Sequence, residues 1–281
     1  MLKSERPSFL GQHWLLAPRG FTYESAAPSD LASDANLDSP NEWLSLLCVL
    51  ERAKAGDFSQ LSRLSKIISS SSDEQVIECG MRLLGHAGSH SQRMELRRFF
   101  SHPDPNARSA ALDAVRFSCD LALVEPLLEF GRTANPSNRL LVMSVLSGLL
   151  EPEPATIYDD TETMASDAYE KVVRRKTSLV QQEFGQAAPI LNGRLLDLHY
   201  VLDRIESLTR DENAFQLSGL ISIYIKYFEA LTGVRCVGLF DSEIAANTPA
   251  ILAIVERVHH NGLLERFQPG RRYFFGHLVP D

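Results

Sequence analysis

His86 and His90 stand four residues apart in GHAGSH, a spacing that on a helix aims two imidazoles the same way, with Cys79 upstream as a third possible ligand for a transition metal. The glycines around them read instead as a turn between helices, so a solvated turn is expected and no metal site. His259 and His260 are adjacent, which points them to different sides of a helix and argues against a shared site. His199 sits in an apolar helical pattern and is expected to be a partly buried, hydrogen-bonded side chain rather than a base. Asp159, Asp160 and Glu162 cluster three carboxylates without the glycine-containing loop that calcium coordination uses. No HExxH, GxSxG, GxGxxG or Walker A pattern occurs. No catalytic residue, metal site or cofactor is therefore assigned, and the chain is not expected to be an enzyme.

Arg93, Arg97 and Arg98 in SQRMELRRFF place three guanidinium groups on one helix. Phosphate contacts would call for a basic stripe continued along the other helices, and there is none, so surface solvation, salt links or a protein contact are expected. The formal net charge is −8, which disfavours nucleic acid and suits a basic protein partner. It is uneven: residues 1–150 carry 15 Lys and Arg against 17 Asp and Glu, and residues 151–281 carry 13 against 19. Much of the excess lies in EPEPATIYDDTETMASDAYE, Glu151 to Glu170, with seven acidic residues and no Lys or Arg. That stretch reads as a solvated loop leading into a helix whose start carries the acidic groups, or as an acidic recognition element for a basic partner. The GRRYFF run near the end is expected to dock on the body.

The elements that must carry these side chains are helical. Charged residues break the first apolar stretch, and no apolar run approaches the ~20 residues of a membrane helix, so a cytoplasmic protein without membrane contact is expected. Four scattered cysteines (Cys48, Cys79, Cys119 and Cys236) fit that compartment as buried, reduced thiols. Residues 1–40 are rich in Ser, Ala, Asp and Pro and read as an arm or linker, with Trp14, Leu15 and Leu16 placed to pin it. Helical spacing starts at Asn41, with Ser39 as the expected N-cap and Trp43, Leu46, Leu47 and Leu50 on one face. Val76, Ala107 and Asn138 are 31 residues apart, and each follows a turn. Apolar positions repeat with them, at Leu83, Ala114 and Val145, and in the following helices at Leu96 with Leu127 and Phe99 with Phe130. A fixed period with matched apolar positions marks stacked helical hairpins. Beyond 150 come LLDLHYVLDRIESLTR, AFQLSGLISIYIKYFEALTG, expected to end at Gly233, and NTPAILAIVERVHHNG, with Asn247 as N-cap; VRCVGLF reads as a short extended piece.

The stretch HPDPNARSAALDAV followed by LALVEPLLEF resembles a HEAT-type repeat, whose short form has a D-P-x-x-R turn, an alanine-rich first helix and a leucine-rich second helix. The match is close over Pro103–Val115, looser over Pro136–Leu149 and faint over Asp73–Leu84. The expected fold is all-α: residues 41–150 as a short HEAT-like solenoid of stacked hairpins, then a helical C-terminal region over 151–281. The resemblance implies an extended surface that binds protein, and it is similar to bacterial toxin-immunity proteins of the HEAT-repeat type, which neutralise a cognate toxin, often a basic one. A scaffold or adaptor in a larger complex is the alternative, and a HEAT-like lyase or DNA-binding enzyme a weaker one. The side chains expected to meet the partner are Arg97, Arg98, Glu125, Glu129 and Arg132 on the second helices, with Asp159, Asp160 and Glu162 in the acidic stretch.

Overall fold

The computed structural model describes residues 5–11, 20–151, 166–241 and 245–281. It is predominantly helical, as expected of an all-α chain. The helices are α1 (Asp34–Leu37), α2 (Glu42–Lys54), α3 (Ser62–Ser70), α4 (Glu74–Ala87), α5 (His90–Met94), α6 (Pro105–Ser118), α7 (Val124–Thr133), α8 (Pro136–Leu150), α9 (Asp167–Phe184), α10 (Leu198–Arg210), α11 (Ser218–Thr232) and α12 (Thr248–His260). Two antiparallel hairpins accompany them: β1 (Ile190–Leu191) with β2 (Arg194–Leu195), and β3 (Tyr273–Phe274) with β4 (His277–Leu278).

Polar N-caps start most of the longer helices. The side chains of Asn41, Asp73, Asp104, Asn135, Ser166, Asp197 and Asn247 each accept from a backbone N–H in the first turn. The first helix after the arm is thus capped by Asn41, and Ser39 Oγ instead accepts from the Asn41 N–H at 3.1 Å. Gly233 ends α11 in the left-handed conformation (φ 72°), as its position suggested.

The chain separates into two compact units, and the first is discontinuous: 1–57 with 197–279, against 58–196 with the last two residues. These boundaries differ from those at 40 and 150 expected from composition.

In the continuous unit, the caps Asp73, Asp104 and Asn135 stand 31 residues apart. The helices they open pack in sequence, α4 on α6 and α6 on α8. The α4–α6 contact is close at Gly85, where an added Cβ would lie 2.4 Å from the Ala114 carbonyl oxygen. Two arginines at matching places tie α6 and α8 to the segment before each, the turn ahead of α6 and the end of α7. Arg108 Nη1 donates to the carbonyls of His102 (2.5 Å) and Pro103 (3.0 Å). Arg139 donates to those of Gly131 and Arg132, both at 3.3 Å. Helix α9 packs on α8, and the β1–β2 hairpin continues that contact through Asn192 and Gly193, whose N–H groups donate to the Gly148 and Leu149 carbonyls.

In the discontinuous unit, α10 packs on α11 and α12, and α1 on α2. The described part of the expected arm is packed: Phe21, Leu31 and Leu37 are buried. Its anchor is Glu229 of α11, 1% exposed, whose carboxylate accepts from the Phe21 N–H at 3.3 Å and from the Thr22 hydroxyl. Phe21 also meets Phe274 edge-to-face at 5.2 Å, so the GRRYFF run does dock. Trp14, Leu15 and Leu16 lie outside the described residues. VRCVGLF forms no strand; among the described residues only an isolated bridge joins Phe240 to Ala246.

Candidate functional site

All five second-helix residues are exposed, and two of them are committed to ion pairs with α9. Glu125 of α7 accepts from Arg174 Nε (2.9 Å) and Nη2 (3.0 Å) of α9. Arg132, two turns along the same helix, forms a two-pronged pair with Glu170, which Arg174 Nη1 also reaches at 3.0 Å. Hydrogen bonds from Arg132 hold the Glu170 carboxyl below the usual carboxylate range, against the opposing effect of burial. A further pair, Lys176 to the buried Glu151, fastens the same helix. Glu125 and Arg132 therefore bind α9 rather than standing unengaged. Arg97, Arg98 and Glu129 are exposed, with Arg98 3.8 Å from Glu95. Asp159, Asp160 and Glu162 lie outside the described residues.

The histidines do not converge. His86 is not in a solvated turn: α4 runs on to Ala87, and the imidazole is buried and stacked on Phe117, ring centres 4.5 Å apart. His90 opens α5 and meets Asp120 through Nδ1 at 2.9 Å. His199 is exposed on α10, not partly buried. The four cysteines are buried thiols outside any disulfide.

Arg93 departs from the surface role expected of it. It is 7% exposed, and its Nε and Nη2 donate to Asp120 Oδ2 at 3.0 and 2.8 Å while Nη1 donates to the Gly88 carbonyl at 2.7 Å. Asp120 also caps the next turn, accepting from the Ala122 N–H at 3.0 Å. Burial alone would raise this carboxyl; the Arg93 charge, the Ala122 N–H and the Arg93 and His90 hydrogen bonds outweigh it and hold the group below its ordinary range. This cluster fastens the α4–α5 hairpin to the turn after α6, which is a structural duty.

The most exposed large apolar side chain among the described residues belongs to Phe215, 75% exposed. The sequence expected a helix from Ala214, but α11 begins at Ser218, and 211–217 form an ordered turn. Asp211 Oδ1 accepts from the Asn213 N–H at 2.8 Å, and the Ala214 N–H donates to the Asp211 carbonyl at 3.0 Å. The Phe215 carbonyl accepts from the Ser218 N–H at 3.3 Å and the Ser218 hydroxyl at 2.8 Å. The backbone under the ring is thus fixed while the ring stands in water, on a turn that also carries the exposed residues Asp211 and Glu212 and that follows the exposed Arg210. Aromatic side chains are concentrated in the buried centres of protein interfaces, and one on a fixed turn has little backbone freedom left to lose on binding. Spacing concealed it: Phe215 falls seven residues after Leu208, on the apolar stripe that a continued α10 would have had. The usable signal was its polar neighbourhood, RDENAFQ, in which a helix is poorly supported.

No protein family, curated protein or solved structure matches this chain.

Proposed function

We propose that the chain is a non-catalytic, cytoplasmic protein-binding module, with HEAT-like hairpins in its continuous unit, that grips a basic protein through Phe215. The single observation that carries this reading is an aromatic ring 75% exposed on a turn held by four described hydrogen bonds, with the exposed Asp211 and Glu212 on the same turn. A partner that fits has an apolar socket with Lys or Arg at its rim. The net charge of −8 would speed encounter with such a partner. A basic bacterial toxin, bound and neutralised, is the partner that the HEAT-like resemblance suggests. The solenoid reading draws support from the 31-residue interval of the caps and from the matched bonds of Arg108 and Arg139. Arg97, Arg98 and Glu129 are the exposed residues of the second helices left for a further contact.

The test is quantitative capture from native extract on immobilised wild-type chain and on Phe215→Ala. Full burial of a phenylalanine ring contributes about 1.5–3 kcal/mol, so the variant should lose roughly 10- to 150-fold in affinity for the partner. An enriched protein with a basic contact surface, lost in the variant, is the expected result. Equal capture by both chains, or an acidic partner, refutes the reading.

A further inference from the structure

The discontinuous unit encloses a second feature, independent of Phe215. A cavity of about 430 Å³ opens between the 21–27 segment, the end of α2, Gly233, Arg235 and Phe275. Its volume lies within the ~300–1,000 Å³ usual for small-molecule sites.

The charges on its wall are partly committed. Lys54 Nζ donates to the Phe21 carbonyl (2.8 Å) and to Glu51 Oε1 (2.7 Å), and lies over the faces of Tyr23 (4.2 Å) and Phe275 (5.1 Å). The Tyr23 hydroxyl donates to the same Glu51 oxygen at 2.5 Å. The wall also carries the carboxylate of Glu24, which is engaged; two of the charged groups, Glu51 and Arg235, keep capacity to spare. The second carboxylate oxygen of Glu51 has no hydrogen-bond partner among the described residues, and Arg235 is exposed with no ion pair among them.

The backbone around the cavity also departs from the ordinary. Phe275 has φ +50°, a left-handed conformation rare for a bulky side chain. Phe275 and Gly276 form the two-residue turn of the β3–β4 hairpin, which takes positive φ at both positions, and their N–H groups donate to the Ala230 and Leu231 carbonyls at 2.7 and 2.8 Å. The ring is so placed against the cavity at the expense of local backbone preference, a pattern that gathers at binding sites.

A simple anion entering this cavity would meet Glu51, and a simple cation would meet Lys54 and Arg235. One class of ligand satisfies both spare groups. We propose that the cavity binds a small zwitterion of the amino-acid or dipeptide class, with its ammonium on Glu51, its carboxylate on Arg235 and an apolar side chain against Tyr23 and Phe275.

The test is calorimetry of the full chain with alanyl-phenylalanine, with its N-acetyl derivative (anion only) and with its C-terminal amide (cation only). Saturable binding of the dipeptide, with both derivatives weakened by about tenfold or more, is expected. Arg235→Glu, an exposed position whose melting temperature should not move, is expected to weaken the dipeptide by about tenfold and to spare the amide. Glu51→Gln, which keeps the side-chain shape, should weaken the dipeptide and spare the acetyl derivative. Phe215→Ala should bind the dipeptide as wild type does, which separates this site from the protein-binding turn. No saturation up to about 10 mM, equal binding of the derivatives, or no effect of Arg235→Glu overturns the proposal.

Discussion

Replacing Asp120 by alanine removes one buried carboxylate and leaves Arg93 inside with its charge unanswered. Asp120 accepts from Arg93 Nε and Nη2, from the Ala122 N–H and from His90, so four contacts vanish together. Breaking a buried pair by deleting one partner costs about 3–5 kcal/mol, of which the lost cap accounts for roughly 1. We expect Asp120→Ala to destabilise the chain by about 4 kcal/mol, or a melting temperature lower by ~8–16 °C for a unit of this size. Thermal and urea unfolding followed by circular dichroism read this directly. Adding Arg93→Met should return most of the loss, because an apolar pair of similar volume is often as stable as the buried ion pair it replaces. The pH dependence has a definite sign. The folded carboxyl titrates below its unfolded value of about 3.9, so its stabilisation is present above that pH and is lost as pH falls through the lower folded value. Asp120→Asn should flatten that part of the acid limb. A change under about 1 kcal/mol for Asp120→Ala would show that Arg93 is solvated in solution and that the cluster is not a buried one.

Gly85→Ala should destabilise by about 1–3 kcal/mol despite alanine's better helix propensity, since its Cβ would collide with the Ala114 backbone; urea unfolding checks it, and a gain in stability would contradict the close α4–α6 approach. Glu229→Gln keeps the shape but weakens the acceptor for the Phe21 N–H and Thr22 hydroxyl, so amide exchange at 20–23 should quicken severalfold while exchange in α6 stays unchanged. Replacing both Arg97 and Arg98 by glutamate should leave the stability within about 0.5 kcal/mol of wild type, since both are exposed, while changing partner capture; unchanged capture removes them from the interface.

Local signals in the sequence carried the helical class and much of its punctuation. Asn247 and Gly233 were readable as caps because short polar side chains and glycine have few other uses at helix ends. The 31-residue interval was readable because caps and buried alanines recur with it. What escaped depends on contacts between distant residues. Arg93 looked like its neighbours Arg97 and Arg98, and only the arrival of Asp120 from 27 residues away makes it a buried group. Phe21, Leu31 and Leu37 are too widely spaced to show a helical period, so the polar composition around them read as a linker. The Asn192-Gly193 pair of the β1–β2 hairpin was a local signal left unread; both residues have positive φ, 53° and 71°, as a two-residue hairpin turn requires. The Phe275-Gly276 turn repeats that geometry without asparagine, and so offered no comparable sign.

The discontinuous unit has a temporal consequence. During synthesis, residues 1–57 leave the ribosome long before 197–279, so α2 and the 20–22 segment must wait for α11 to supply Glu229 and for the last hairpin to supply Phe274. Residues 58–196 are contiguous, and nearly all of their unit can assemble in the interval. Nascent chains halted soon after Leu196 should therefore protect α4, α6 and α8 from protease while their first fifty residues are still cut freely.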